Sequence, residues 1–487
     1  MFKKTKISKN KLDINNLINI QKGFIKSKEN SNNFLRYFVL IVLIIVGFLG
    51  YIALKEVSKI KFDLDSILSF SGFGLNLEEI EKKSTIKTTN GKTNIVIIGR
   101  GGDENDAPEL TDSILIASIN YKNKSISMFS VPRDLYVAYP TSGAGKINEV
   151  YFRALRKTKD EFEAIKSLNE VLGKITGEEM HYFVNLDFNG FRKIIDSVGG
   201  INIDVPNQII DNTYPGPNHS YITFKINPGL QTLDGKTALM YARSRHSTSD
   251  FDRSLRQQLI IKALREKFLS LDLLTSPSKI KSIYAILQEH VITNLDLGQM
   301  IDLALFLKDI PKENIVSSNL NDGCFYGSYT CEKGGFLYVP LRADFGGASV
   351  MLQEGGTKSN PSNYSKLINY TNIVFNYPLV YAENLPINIF NSTKVSGLAQ
   401  DVATSLKKYG FNIPDKDSIG NTSGDKYEKS KILYTTGSGE EIPQTVKALE
   451  MFIFGGSEKV EVLPKYSKNP QTKIEIIIGD DYKNLNF

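Results

Sequence analysis

The chain predicts an α/β fold, a layered α-β-α sandwich that follows one N-terminal hydrophobic span and precedes a small C-terminal α+β module. Three observations carry that expectation. Short β-branched runs alternate with amphipathic stretches between residues 94 and 269, residues 37–54 form an uncharged apolar block, and a polar segment near residue 355 sets off the last hundred or so residues. Alternation of strands and helices favours one sheet with helices on both faces. At 487 residues the chain exceeds one ordinary core, so two globular domains with connecting segments are expected.

Residues 1–36 are basic, with nine Lys/Arg against Asp13 and Glu29. Residues 37–54 (YFVLIVLIIVGFLGYIAL) give a helix of roughly 27 Å, close to the hydrocarbon thickness of a bilayer. The excess of positive charge before this block keeps the N-terminus cytoplasmic and puts the bulk of the chain outside the cell membrane. A cleaved signal peptide is the competing reading, but the basic preface is long and Tyr51 before Ala53 makes a poor cleavage site, which favours an uncleaved signal anchor. Residues 55–92 read as a stalk, broken at SGFG (71–74). The net charge of +6 is spread thinly and no reader motif is present, which argues against a nucleic-acid partner.

A main domain is expected over residues 93–354. Its apolar runs at 94–98, 113–119 and 125–131 predict buried strands. A helix over 159–172, a strand at 181–185, a helix at 188–197 and a strand at 201–205 follow, the last entered through Gly199-Gly200. A long helix is predicted from Asp250 to about Leu269, with Ser249 as its cap. Further helices at 277–288 and 298–308 lead to a last strand at 336–340. Residues 355–384 are expected to be a linker. The final domain, 385–487, carries predicted strands at 385–390, 432–435 and 474–478 and a helix at 398–408.

Cys324 and Cys331, the two cysteines of the chain, sit seven positions apart in a Gly/Tyr-containing loop and are too few for a structural zinc site. In an oxidising compartment they are expected to close that loop as a disulfide, with two free loop thiols as the alternative. His181, His219, His246 and His290 lack metal-ligand spacing, and no G-x-S-x-G nucleophile elbow or phosphate-binding glycine motif occurs.

The chemistry concentrates in residues 241–258 (YARSRHSTSDFDRSLRQQ). Arg243 and Arg245, two apart, point to one side if the segment is extended. Arg253 and Gln257 share a helical face and Arg256 lies beside it. Asp250 stands at the helix start, where backbone amides can also receive a phosphate. Guanidinium forks match the oxygens of a diphosphate bidentately, so these arginines form a coherent anion clamp. A solvated basic helix face is the alternative on spacing alone.

The neighbouring segments favour the clamp. Thr111-Asp112-Ser113, Val131-Pro132-Arg133-Asp134, Lys146-Ile147-Asn148, Val198-Gly199-Gly200-Ile201 and Tyr241 through Gln258 occur in an order that resembles the LytR-CpsA-Psr family, over about residues 94–265. Residues 385–482, opening with LPINIFNSTKVSGLA, resemble the LytR C-terminal domain. The resemblance implies a phosphotransferase that moves a glycopolymer from a polyprenyl diphosphate carrier to a peptidoglycan hydroxyl, with the carrier's tail in an apolar groove. It implies that Arg133, Arg243, Arg245, Arg253 and Gln257 hold the diphosphate, that Asp112 binds magnesium (manganese being the alternative ion), and that Asp250 orients an arginine or serves as base. A carboxylate near the incoming hydroxyl could accept its proton, and Asp250 and Asp134 are the candidates, with an arginine partner or helix cap as the alternative role of each.

Two positions depart from the family pattern. Gly101 stands where members carry an aspartate after the first strand, and Leu110 where they carry an arginine before the second. Asp103, Glu104 or Asp106 could supply the missing carboxylate and Arg100 the missing guanidinium. A diphosphatase with water as acceptor and a non-catalytic binder of wall polymer or lipid are the rival readings.

Overall fold

The computed structural model describes residues 86–102, 107–216, 220–244, 250–270, 289–296, 299, 302–303, 306–307, 309–320, 335–414, 416–436, 441–455, 460–466 and 473–482. The expected span at 37–54, the stalk up to residue 85, the cysteine loop and the helix at 277–288 lie outside these residues. Among the described residues no helix is long and apolar enough to cross a membrane.

The chain lays down β1 (Lys92–Arg100), β2 (Thr111–Asn120), β3 (Ser125–Ser130) and a small hairpin, β4 (Tyr136–Ala138) and β5 (Ala144–Lys146). Two helices follow, α1 (Asn148–Thr158) and α2 (Glu161–Thr176), then β6 (Tyr182–Asp187) and α3 (Phe188–Ser197). Next come β7 (Ile201–Val205), β8 (Ile209–Pro215), β9 (Tyr221–Ile226), β10 (Gly229–Leu233), α4 (Gly235–Arg243) and the long α5 (Asp250–Ser270). Short strands β11 (Val291–Thr293), β12 (Ile315–Asn319), β13 (Leu337–Tyr338) and β14 (Leu352–Gln353) complete this part.

Six strands form one mixed sheet in the order β11-β6-β1-β2-β3-β12. Antiparallel pairing of β1 with β2 and of β2 with β3, and parallel pairing of β1 with β6, bring the end of β1, the start of β2 and the ends of β3 and β6 to the same edge. The continuous apolar run of β1 reflects burial on both faces. Val96 and Ile98 join the core that contains Ile165, Leu168 and Leu172 of α2, while Ile95 and Ile97 belong to the packing on the opposite face. Asp160 starts α2 by accepting from the amides of Phe162 and Glu163, and Gly177, at φ +71°, ends it in the left-handed conformation.

The strands expected from periodicity are present, and the helix 188–197 and strand 201–205 have the expected bounds. Two expectations need correction. Arg243 is not in an extended segment: it is the last residue of α4, a helix opened by the Asp234 carboxylate accepting from the Thr237 amide at 2.7 Å. Nor are residues 355–384 a linker throughout. They contain α6 (Ser365–Asn376) and α7 (Leu379–Glu383).

Helix α6 is built into the core. Ile373, Val374 and Phe375 are fully buried, the Phe375 ring meets Phe129 of β3 edge to face at 5.5 Å, and Ser127 Oγ donates to the Val374 carbonyl at 2.5 Å. The C-terminal domain continues from it with β15 (Ile387–Asn391), α8 (Leu398–Lys408), β16 (Ile419–Asn421), β17 (Lys431–Thr436), α9 (Gln444–Phe454), β18 (Glu461–Tyr466) and β19 (Ile474–Ile478). Its sheet runs β16-β15-β19-β17-β18, with Ile389, Ile432 and Ile476 fully buried. Phe336 stacks on Tyr370 of α6 at 4.5 Å and meets Tyr409, just after α8, at 5.2 Å.

One polar tie crosses this contact. Glu354 receives Lys366 at 2.8 Å and also Lys408 of α8. Burial alone would raise the Glu354 carboxyl, but hydrogen bonds from the two lysines outweigh it and hold its pKa below the ordinary 4.5. A depressed carboxyl stabilises the folded state above the unfolded pKa, and that contribution fades as pH falls through the lower folded value. Glu354→Gln is therefore expected to cost about 1–3 kcal/mol at neutral pH. The difference in unfolding midpoint from wild type should shrink below about pH 4.5, as thermal unfolding across pH would measure; a gap independent of pH would show that the charge does not act here.

Candidate functional site

The edge where β1, β3 and β6 end and β2 begins carries the sequence-predicted residues. A ligand site is favoured there, outside the carboxyl ends of sheet strands. The register shift between Gly99 and Arg100 pairs Arg100 with Thr111, and Asp112 follows as the second residue of β2. After β3 the chain turns through Pro132, closed by the Leu135 amide on the Pro132 carbonyl at 3.1 Å. That turn aims Arg133 back at β2. Arg133 Nη1 donates to Asp112 Oδ1 at 2.5 Å and its Nε lies 3.6 Å from Asp134 Oδ2. Asp134 in turn holds Lys146 Nζ at 2.6 Å. The Arg133 and Asp112 side chains remain 22 % and 32 % exposed, so this pair faces the mouth rather than the core.

Helix α5 forms the opposite wall, and three of its consecutive side chains are braces. Gln257 Oε1 accepts from Ser113 Oγ at 2.8 Å and its Nε2 reaches the Ala242 carbonyl at 3.3 Å, joining β2 to the end of α4. Gln258 Nε2 donates to Ser130 Oγ at 2.8 Å and to the Ser318 carbonyl at 3.0 Å. Arg256, expected in the clamp, is 5 % exposed and donates to the carbonyls of Tyr241 (2.8 Å) and Ser244. Those bonds tie α5 to the end of α4. Arg253, one turn earlier, is equally buried.

Arg243 projects from the end of α4 between two rings. Its guanidinium carbon lies 4.5 Å from the Phe188 ring centroid and 5.7 Å from that of Tyr214, whose hydroxyl is 3.5 Å from Nη1. Such stacking presets a guanidinium plane. Burial raises the Tyr214 hydroxyl above its ordinary pKa of 10.0, with Arg243 opposing the shift, so Tyr214 stays neutral in the ordinary pH range. Beneath it Asp211, 2 % exposed, accepts from Ser244 Oγ at 2.9 Å and from the Thr213 amide at 3.1 Å. Phe188, Tyr214 and Asp211 carried no role in the sequence, and Lys146 stood there only within the Lys146-Ile147-Asn148 segment. Each of the four is paired across elements, which local spacing does not reveal.

Asp250 begins α5, where an anion is favoured, but its side chain is outside the description. Asp103, Glu104, Asp106, Arg245, His246, Ser249, Cys324 and Cys331 also lie outside the described residues. Arg100, paired with Thr111 at the same edge, is 13 % exposed, and its Nη1 lies 3.6 Å from Glu109 Oε2. His290 Nδ1 pairs with Asp187 at 2.7 Å and the His181 ring accepts from the Asn94 amide at 3.0 Å, so both histidines have structural partners. Among the described residues no group of three His, Cys, Asp or Glu side chains could hold a metal. Asp112 nonetheless offers the hard oxygen donor that magnesium takes, and magnesium is commonly held by one or two carboxylates together with substrate phosphates.

The sequence has relatives among known proteins. The chain is 24 % identical over 442 residues, 81 % of its own length and 78 % of the relative's, to a cell wall biosynthesis protein, LcpA, of Corynebacterium glutamicum. It is 28 % identical over 297 residues (59 % and 70 %) to the Bacillus subtilis polyisoprenyl-teichoic acid–peptidoglycan teichoic acid transferase TagV. A Staphylococcus aureus regulatory protein, MsrR, is 31 % identical over 212 residues (42 % and 57 %). Crystal structures of B. subtilis TagV and TagT align over 59 % and 60 % of this chain, covering 99 % and 94 % of theirs, with TM-scores of 0.43 and 0.39 and identities of 21 % and 19 %. Residues 384–482 match the domain described as the LytR cell envelope-related transcriptional attenuator. Residues 74–338, more than half of the chain, match the LytR_cpsA_psr family, and the chain belongs to that family with a LytR C-terminal domain behind it.

Proposed function

We propose that this protein is a cell-wall glycopolymer transferase, and that it moves a glycan phosphate from a polyprenyl diphosphate carrier to a hydroxyl of peptidoglycan. Kinship with proteins named for wall biosynthesis and for teichoic acid transfer to peptidoglycan supports the coarse activity. One observation carries the chemistry. The contacts from Arg133 to Asp112, from Ser113 to Gln257 and from Gln257 to Ala242 draw arginines from separate elements toward one strand edge.

Transfer of a phosphoryl group asks mainly for positioning and charge neutralisation. Arg133 and Arg243, with Arg245 and Arg253, hold the diphosphate. The acceptor oxygen attacks the glycan-side phosphorus, the P–O bond to the carrier phosphate breaks, and polyprenyl phosphate departs with the bonding electrons. The acceptor's proton passes to one of the two candidate bases, Asp250 or Asp134. Asp134, already paired with Arg133 and Lys146, orients Arg133. Magnesium held by Asp112, with Asp103 as second carboxylate, would neutralise phosphate charge when bound. The segment 37–54 anchors the chain in the cell membrane with its folded bulk on the outer side, where both substrates meet it.

Arg133→Ala and Arg243→Ala are each expected to lower transfer by about 10²- to 10³-fold, as losses of oxyanion-stabilising donors do. Arg243→Lys should recover little, because an ammonium keeps the charge but not the plane that stacks on Phe188 and Tyr214. Full activity in both alanine variants, measured with a lipid-linked donor and peptidoglycan, would remove the clamp. Calorimetry supplies a separate check: magnesium binding in the presence of a polyprenyl diphosphate should weaken in Asp112→Ala, and an unchanged isotherm would exclude Asp112 as ligand. Product analysis with and without peptidoglycan distinguishes transfer from hydrolysis, since a diphosphatase releases the same product in both.

A further inference from the structure

An open groove of about 800 Å³ lies beside the mouth, bounded by the β4–β5 hairpin, by β13 and β14, by the short 3-10 turn Arg342–Phe345 and by residues 357–361. That size is within the roughly 300–1,000 Å³ of small-molecule sites. Its apolar lining includes three aromatic rings beside Ala138, Ala144, Leu352 and Pro361. The Tyr136 and Phe345 rings meet edge to face at 4.9 Å, and Tyr338 is fixed as a buried wall by its hydroxyl on the Gly356 carbonyl at 2.7 Å. The polar side chains of Asp344, Thr357, Lys358 and Ser359 stand around these rings. Lys358 Nζ lies 5.4 Å over the Phe345 ring.

The hairpin joins this groove to the mouth. Tyr136 pairs with Lys146 and Ala138 with Ala144, so strand alternation puts these four side chains on one face. On that face Lys146 holds Asp134, while its cross-strand neighbour Tyr136 and the Ala138–Ala144 pair line the groove. Arg133 stands between the two regions, with Nη1 on Asp112 toward α5 and Nε toward Asp134 and the hairpin.

We infer that the groove is the acceptor subsite and takes an oligosaccharide, the glycan chain of peptidoglycan, an assignment that rests on the transferase reading above. Pyranose rings present apolar C–H faces and hydroxyl edges. Aromatic faces with a polar rim match both, as they match other ligands with an apolar body and polar handles. An isoprenoid tail fits less well, because the groove is open and polar-edged. The donor's diphosphate belongs to the arginines on the α4 and α5 side of Arg133, which leaves the hairpin side for the incoming hydroxyl.

The test uses the full chain in nanodiscs and, as probe, the peptidoglycan tetrasaccharide released by muramidase. Wild type binds it by calorimetry, and Phe345→Ala weakens it about tenfold, which is about 1.4 kcal/mol. Ala144→Trp fills the groove without deleting a contact and should weaken it similarly. Both variants are expected to keep wild-type affinity for a polyprenyl diphosphate, and in the transfer assay to raise the apparent KM for acceptor while kcat stays within about twofold. Absence of saccharide binding to wild type at millimolar concentration overturns the assignment, as does unchanged affinity in both variants. So does groove-dependent binding of the free donor polymer with none of the tetrasaccharide. If saccharide binding maps to the groove but no transfer occurs, the subsite stands and the transferase reading falls.

Discussion

Three adjacent side chains of α5 set the geometry on which the mouth depends. Arg256, Gln257 and Gln258 each turn by about 100° along the helix, so one short run reaches three different neighbours. It ties α5 to the end of α4, to β2, and to β3 with β12. Arg256 and Gln258 are almost fully buried, where an unmet donor costs on the order of 1–3 kcal/mol, more for a charged group. Such a tie tolerates little drift. It holds Ser113, and with it Asp112, at a set distance from the helix end that presents Arg243.

The division between braces and ligands was only partly legible in the sequence. The run Arg-Gln-Gln marks a site, yet nothing in it says that Arg256 faces inward and Arg133 outward. That follows from where α5 lies against the sheet. Strands β1, β2 and β19 and helix α3 were readable because both-sided burial or a 3.6-residue period marks them. α4 was not assigned, because attention to the two arginines two apart passed over its signal, Asp234 ahead of Thr237, a helix cap. The β4–β5 hairpin is too short to show a period, so the Asp134–Lys146 pair it creates could not be foreseen.

Helix α6 was hidden by its composition. Asn, Tyr, Thr and Ser fill much of SKLINYTNIVFN, but Leu367, Thr371 and Val374 share one face and are buried together. Even its threonine is used: Thr371 Oγ1 donates to the Thr176 carbonyl at the end of α2 at 2.8 Å. One apolar cluster therefore runs from the sheet through α6 into the C-terminal domain. That domain does not hang on a flexible tether at this point. Its orientation is coupled to β3, whose far end leads into the Arg133 turn.

The Arg133–Asp112 pair shows how a site can be preformed without being closed. Partly exposed ion pairs contribute little to stability, about 0–1 kcal/mol, so this one is a weak constraint on the fold. Its value is in keeping a guanidinium aimed at the mouth by a carboxylate that can take a second partner. An arriving diphosphate brings more charge than Asp112 alone and can recruit the same fork, while a divalent cation can relieve Asp112 of it. Arg243 is preset differently, by two aromatic faces that do not compete for its N–H donors in the way a carboxylate would. The arginine nearest the proposed acceptor side is thus the exchangeable one, and the arginine on the donor side is the fixed one. That asymmetry suits a reaction in which the donor must be gripped before the acceptor oxygen approaches.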